Sequence, residues 1–412
     1  MKSYNYIDLF AGAGGLSEGF IRQGFSPIAH VESDKASCFT LKTRAAFYHL
    51  LKENKVDVYY SYLRGEISRA KLYSIIPQGL LDSIINGEIG TENKMISDTI
   101  DSSLKGRIID LIIGGPPCQA YSKIGRPALK HKTDDGRTTL YIQYGWFLKR
   151  YKPRLFVFEN VPGIFSTSDG KYFKNLKKYY KRLGYQVEAK VLNALDYGVV
   201  QNRERVVIIG WKKDLQLSYP DIIPLEIKYH REDIFSDLPS IKPGETRKYL
   251  NYSKPVSQYL SQTLIRNGVN FVSQHITRTH NNKDLDIYKL AIKKLNEGER
   301  LQNNKIPETM RTQSNVTDFL DRFKVVGIIP HTMIAHIAKD GHHYIHPDIK
   351  QLRSISVREA ARIQSFPDDY YFEGDKEGQF QTAAFKQIGN AVPPLMAEKI
   401  AEKIKGLLNN EY

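Results

Sequence analysis

Tyr4–Glu32 reads YNYIDLFAGAGGLSEGFIRQGFSPIAHVE. Tyr4 to Phe10 is a short apolar strand, and Gly12, Gly14 and Gly15 follow it as a turn. Leu16, Phe20 and Ile21 then repeat with helical spacing up to Gly24, and Ser26 to Val31 is a second strand ending at Glu32. Asp34 is placed to cap the next helix, which carries Cys38 and Leu41. A strand, glycine turn, helix and strand in this order build a doubly wound α/β sheet, with ligands at the carboxyl ends of the strands.

The same rhythm continues. Ile108–Ile113 and Leu155–Phe158 are strands, and Gln186–Leu192 and Val206–Trp211 form a late pair. Helices at 139–149 and 171–183 lie between them. In the second, Tyr172, Phe173, Leu176, Tyr180 and Leu183 make the inner stripe. Lys171, Lys174, Lys177, Lys178, Lys181 and Arg182 face outward, and this face reads as solvated rather than DNA-binding. After Trp211 the chain turns irregular, polar and rich in Tyr, Asn, Lys and His, with one clear helix at 284–296. Regular signals return at Ser356-Val-Arg-Glu359, a capping box, and 393–408 is an amphipathic helix led by two prolines. Residues 51–105 look helical and carry no interpretable motif apart from Asp98. The expected division is a catalytic and cofactor-binding domain over 1–211, completed by 380–412, with a second domain and hinge over 212–379.

The chain has 412 residues, enough for one large core and a smaller one. Its formal net charge of +15 points to a polyanionic partner. Two cysteines, Cys38 and Cys118, make neither a disulfide framework nor a four-cysteine metal site. The N-terminus runs straight into a strand, and no apolar run is long enough to span a bilayer. A reducing, cytoplasmic compartment is the expectation.

Four groups of residues carry chemistry. The first glycine turn lets an adenosine-type cofactor lie against the backbone, with Glu32 placed to grip ribose hydroxyls. A nicotinamide, a flavin or S-adenosylmethionine would each fit that pattern. Asp110-Leu-Ile-Ile-Gly-Gly-Pro-Pro-Cys-Gln-Ala-Tyr-Ser122 sets Cys118 on a rigid corner after a buried strand. A free cysteine is otherwise a small buried hydrophobe, but this corner suits a nucleophile. Glu159 ends an apolar strand, where desolvation raises a carboxyl pKa and suits it to donate a proton. Arg203 and Arg205 alternate at a strand start and could face the same pocket. Residues 123–137 form a basic, glycine-containing segment suited to closing over nucleic acid.

Together these motifs resemble, in register, those of the DNA (cytosine-5)-methyltransferases of bacterial restriction–modification systems. Asp8-Leu-Phe-Ala-Gly-Ala-Gly-Gly15 resembles the cofactor motif and Gly114-Gly-Pro-Pro-Cys-Gln-Ala-Tyr-Ser122 the nucleophile motif. Phe158-Glu-Asn-Val-Pro-Gly163 and Gln201-Asn-Arg-Glu-Arg-Val206 resemble two further active-site motifs. Arg358-Glu-Ala-Ala-Arg-Ile-Gln-Ser-Phe-Pro367 resembles the late motif that supports the recognition domain, and Gln387-Ile-Gly-Asn-Ala-Val-Pro-Pro394 the closing motif. The resemblance implies a mostly parallel, Rossmann-like S-adenosylmethionine-dependent methyltransferase fold. It also implies an inserted, irregular, β-rich target-recognition domain.

The resemblance further implies that Cys118 adds to carbon 6 of a flipped-out cytosine. Glu159 would hold ring nitrogen 3 and the 4-amino group, Arg205 the 2-oxo oxygen, and Arg203 would support the pocket. For S-adenosylmethionine it implies Phe10 against adenine, Gly12, Ala13 and Gly15 in close approach, and Glu32 on the ribose. Ser33 stands where the family often has a large aromatic residue. Asp98 would read the adenine amino group, and Pro117, Leu140, Asn390 and Val392 would line the rest. Double-stranded DNA is the implied partner, contacted by Gln119, Ser122, Lys123, Arg126, Arg137 and Thr332, the last in a Thr332-Met333 pair that resembles the Thr-Leu-type pair common in recognition domains. A cognate restriction endonuclease would share the recognition sequence without binding the chain.

From Ile241 to Lys283 there are seven Lys or Arg against one acidic residue, Glu245, with Tyr249, Tyr252, Tyr259 and Phe271 interleaved, which suits phosphate contact. His331, His336, His342, His343 and His346 lack a cysteine or acidic partner at ligand spacing, so no metal is expected. A monomer is expected. The rivals are a tRNA cytosine methyltransferase, disfavoured by the large 212–350 insert, and a catalytically silent DNA-binding relative, disfavoured by the complete Cys118, Glu159, Arg203 and Arg205 set.

Overall fold

The computed structural model describes residues 3–117, 139–311 and 320–409. Its strands are β1 (Asn5–Leu9), β2 (Ser26–Glu32), β3 (Ile84–Asn86), β4 (Leu111–Gly114), β5 (Leu155–Asn160), β6 (Tyr185–Asn193), β7 (Glu204–Lys212), β8 (Tyr249–Asn251) and β9 (Phe271–Ser273). The helices of the first half are α1 (Gly15–Arg22), α2 (Lys35–Lys52), α3 (Val56–Leu63), α4 (Arg69–Ser74), α5 (Gln78–Asp82), α6 (Asn93–Leu104), α7 (Leu140–Tyr151) and α8 (Lys171–Arg182). Those of the second half are α9 (Arg231–Phe235), α10 (Gln258–Gln262), α11 (Asn282–Asn296), α12 (Val357–Ile363), α13 (Gln381–Asn390) and α14 (Pro394–Asn409).

One seven-stranded sheet runs in the order β3-β2-β1-β4-β5-β7-β6. β7 alone is antiparallel to its neighbours. Side chains alternate between two buried layers. Tyr6, Leu111, Ile113, Leu155 and Val157 enter one apolar cluster, and Ile7, Leu9, Ile112, Phe156 and Phe158 enter the other. Both faces are therefore covered, which explains why these strands read as continuous apolar runs.

The strand order reverses between β1 and β4, so a crevice opens outside their carboxyl ends. The antiparallel β7 starts at that same edge, pairing Val206 with Asn160 and Val207 with Glu159. Arg205 is thereby delivered beside the end of β5.

The C-terminal segment returns to the first helix. α14 packs so closely on α1 that a Cβ at Gly19 would lie 2.3 Å from the Glu398 nitrogen. Tyr4 Oη donates to the Leu408 carbonyl at 3.0 Å. Residues Ile355 to Phe372 join the same apolar cluster as the sheet.

β3 was not anticipated in the helical-looking stretch 51–105. Helices α3 to α5 precede it and pack with α2 on Val269 and Phe271. Strand content in the inserted region is lower than expected. Among the described residues of 212–379 it is confined to the β8–β9 ladder and a few isolated bridges. Buried arginines knit that region to the core instead. Arg362 lies between Asp237 and Asp368, and Arg353 donates twice to Glu359 at 2.7 Å. The predicted capping box at Ser356 and Glu359 opens α12. Arg353 and neighbouring histidines hold Glu359 well below the usual carboxylate range despite its burial.

Candidate active site

The glycine turn after β1 folds tightly because Phe10, Gly12 and Gly14 all take positive φ (58°, 55° and 82°). The Gly12 nitrogen donates to Glu32 Oε2 at 2.8 Å, and the Asp34 nitrogen donates to Oε1 at 2.8 Å. The Glu32 carboxylate is thus fixed at the carboxyl edge of β2. A Cβ on Gly12 would meet nothing within 4 Å, so this backbone borders open space. An adenosine-type cofactor fits here: bare backbone on one side and an oriented carboxylate for ribose hydroxyls on the other.

Gly15 is packed against the end of the chain. A Cβ there would lie 2.2 Å from the Val392 carbonyl oxygen and 3.3 Å from Ala391 Cβ. Its close approach is to the closing segment of the same chain. Ala13 is buried, and its carbonyl accepts from the Tyr370 hydroxyl. Val392 is buried, Leu140 half-buried at the start of α7, and Pro117 and Asn390 exposed. Ser33 is exposed, and its hydroxyl donates to Glu32 Oε1 at 3.4 Å.

Asp98 requires a correction. It lies midway along α6, exposed, and pairs with Lys94 one turn earlier at 3.2 Å. It does not stand at a strand end. The carboxyl edge next to Glu32 belongs to Asn86, its register partner, whose amide donates to the Ser33 carbonyl at 2.9 Å. Gly87-Glu88-Ile89 follows, with Glu88 exposed. The signal available in the sequence was a three-residue apolar strand, too short to stand out by periodicity.

On the other side of the crevice the nucleophile corner and the Glu159 strand are laid together. β4 pairs with β5 so that Gly114 faces Phe158. A Cβ on Gly115 would sit 2.7 Å from Glu159 Oε2, so only glycine leaves room for that carboxyl. The Asn160 amide donates to the Pro116 carbonyl at 3.2 Å, and its oxygen accepts from the Val161 nitrogen at 2.9 Å. Arg205 Nε is 2.9 Å from Glu159 Oε1, with both side chains nearly enclosed. Burial raises the Glu159 pKa above the ordinary glutamate value, while Arg205 and then Arg203 pull it back. Cys118 follows the corner directly, but it lies outside the described residues, as do Gln119, Ser122, Lys123, Arg126 and Arg137.

Arg203 is fully buried, and its charge also acts on Glu159. It donates to the carbonyls of Met333, Gly389 and Ala391. Gln201 acts beside it. Its oxygen accepts from the Met333 nitrogen at 2.8 Å, and its amide donates to Gln364 Oε1 at 2.7 Å. Thr332 donates its hydroxyl to the Asn202 carbonyl at 2.7 Å, so this hydroxyl proton is already engaged within the protein. The Gln201-Asn-Arg203 run therefore joins the segment around Met333, the segment around Gln364 and the closing segment at 389–391. Single motifs could not reveal this joint, because its partners come from three distant segments.

A doubly wound sheet thus carries a fixed carboxylate at its switch point and, across the same crevice, a buried acid–guanidinium pair, an arrangement that can bring an adenosine-type cofactor to a reacting group. A solved protein described as a DNA modification methyltransferase encoded within an E. coli prophage shares the fold, with a TM-score of 0.69 at 24% identity over 99% of this chain and 100% of that one. The sequence profile of the C-5 cytosine-specific DNA methylases matches residues 4–62 and 68–406, and the chain belongs to that family. The type II methyltransferase M.Bpa9945I of Bacillus paralicheniformis is 39% identical, covering 98% of this chain and 99% of its own. The type II methyltransferase M1.HphI of Haemophilus parahaemolyticus is 31% identical, covering 99% and 88%. The chain is accordingly a DNA (cytosine-5)-methyltransferase that uses S-adenosylmethionine. No helix among the described residues is long and apolar enough to cross a membrane.

Proposed function

We propose that this chain is the modification enzyme of a type II restriction–modification system, acting on one cytosine within a short sequence of double-stranded DNA. The observation that carries the active-site assignment is the Glu159–Arg205 pair, held against the Gly115-Pro116 corner that leads into Cys118. The Cys118 thiolate adds to carbon 6 of the cytosine and makes carbon 5 nucleophilic. Glu159 supplies a proton or hydrogen bond at ring nitrogen 3, a task suited to a carboxyl whose pKa is raised by burial. Arg205 orients Glu159 and reaches the 2-oxo oxygen. Once carbon 5 has taken the methyl group, loss of the carbon-5 proton to a base restores the 5,6 double bond and expels Cys118 as the thiolate. A duplex base reaches such a pocket only after leaving the stack.

S-adenosylmethionine supplies an electrophilic methyl group when bound. Phe10, Gly12 and Glu32 are the residues proposed to hold it, with Pro117, Leu140 and Asn390 around the remainder. In place of Asp98 we assign the adenine edge to Glu88, because it follows the carboxyl end of β3 next to Glu32. We also assign residues 1–211 and 380–412 to the catalytic unit and 212–379 to target recognition. The basic stretch 241–283 and the segment after Cys118 contact DNA in this reading.

The test is methylation of plasmid DNA by purified protein with S-adenosylmethionine, read by bisulfite sequencing. Protected cytosines in one short repeated motif are the expected result. Methyl transfer to tRNA but not to the plasmid would overturn the reading.

A further inference from the structure

The outer face of α8 is the strongest feature that the methylase reading leaves unused. Lys171, Lys174, Lys177, Lys178, Lys181 and Arg182 are all exposed. At 3.6 residues per turn they occupy an arc of about 140°. Tyr172, Leu176 and Tyr180 anchor the opposite side in the core. None of the six cations forms an ion pair with a described residue. Several stand one turn apart, where like charges repel. Arg150 on neighbouring α7 differs, because Asp101 neutralises it.

The cations do not end with the helix. At its C-terminal end lies a cleft of about 530 Å³ between α7, α8 and the end of β7. Lys149, Lys152, Lys212 and Lys213 line it together with Arg182, against a single acid, Asp214. The 3-10 turns that follow Glu159 lead into the start of α8, and its end lies at the opposite edge of the sheet, where β6 begins. The charged strip thus leads from near the catalytic edge around the side of the molecule to its rear.

We propose that this strip is an auxiliary contact surface for the phosphates of duplex DNA, separate from the cleft that takes the target base. The partner is argued from charge complementarity and from the enzyme's own substrate. A helix of this length spans about 18 Å, roughly half a turn of duplex, and faces several phosphates at once. The contact is independent of sequence, because lysines read phosphates rather than base edges. It holds DNA flanking the target, so it acts only on duplexes longer than the catalytic footprint. The inference rests on the DNA-methylase assignment.

The experiment compares wild type with a variant carrying Lys174→Gln, Lys177→Gln, Lys178→Gln and Lys181→Gln. Binding of labelled mixed-sequence duplexes of about 40 and about 12 base pairs is followed across a salt series. The expected result is a loss of about 5- to 10-fold for the long duplex near 0.1 M salt, with a log–log salt slope shallower by about two or more. Short-duplex affinity and the thermal midpoint stay unchanged. A second variant, Lys149→Gln, Lys152→Gln, Lys212→Gln and Lys213→Gln, should lose long-duplex affinity in the same way. Long-duplex binding and salt slope equal to wild type in both variants would overturn the proposal. Equal losses on both lengths would also overturn it, because the lysines would then belong to the main cleft. A wild-type protein that binds neither duplex would instead fail the methylase reading itself.

Discussion

Gln201 and Gln364 are joined by a 2.7 Å hydrogen bond between buried side-chain amides, and each also holds a different segment of the chain. Gln201 accepts from the Met333 nitrogen, and Gln364 donates to the Ile388 carbonyl at 2.7 Å. Replacing Gln201 by Leu leaves the Met333 nitrogen without this acceptor. A buried donor left unsatisfied costs about 1–3 kcal/mol. The predicted outcome is a lower thermal midpoint together with a raised KM for DNA, because the Thr332–Met333 segment loses its anchor. An unchanged midpoint would show that this joint does not hold the segment.

Arg205 opposes the effect of burial on Glu159. Arg205→Ala removes that opposition and should raise the Glu159 pKa further. The carboxyl would then stay protonated to higher pH, and the limb of the pH–rate profile that Glu159 controls should move upward. Glu159→Gln keeps the shape but cannot transfer a proton, and a loss of about 10²- to 10⁴-fold in turnover is expected. Single-turnover methyl transfer across a pH series checks both.

Cys118→Ser should retain DNA and cofactor binding while losing turnover by orders of magnitude, since an alcohol is far less ionised than a thiol near pH 7. Substantial activity in this variant would sink the nucleophile assignment.

Gly12 and Gly15 stand three residues apart but should fail differently. Gly15→Ala drives a methyl group into the Val392 carbonyl, and overpacking of this kind costs about 1–3 kcal/mol. Its thermal midpoint should fall. Gly12→Ala meets open space, so its main effect should be weaker S-adenosylmethionine binding, with a smaller stability change from its positive φ. Calorimetry on both variants, with and without cofactor, separates the two effects.

His275 is buried and neutral. Its Nε2 donates to the Pro239 carbonyl at 2.9 Å, and Nδ1 lies 2.8 Å from the Ser356 hydroxyl at the head of α12. Burial lowers its pKa to about 4. The unfolded chain binds a proton near pH 6.5 and the folded chain does not, so stability rises with pH between about 4 and 6.5. At pH 5 this single group opposes folding by about 2 kcal/mol relative to pH 7. His275→Gln should flatten the fall in thermal midpoint between pH 7 and pH 5. An unchanged slope would exclude His275 as a source of acid sensitivity.

The sequence alone determined the sheet and its chemistry-bearing corners. The strands β1, β2, β5, β6 and β7, the Asp34 cap and the Ser356–Glu359 capping box were legible because their signals are local: apolar runs, glycine turns and side chains that bond their own backbone. Cys118, Glu159 and Arg205 were legible as residue types in motifs. Only the tertiary structure decided which residues meet across long separations. It placed β3 beside β2 and so moved attention from Asp98 to Glu88. It tied Arg203 to the carbonyls of Met333 and Ala391, and it packed Gly15 against the closing segment. These outcomes depend on close packing between segments from about fifty to several hundred residues apart, and the periodicity of either segment carries no record of its partner.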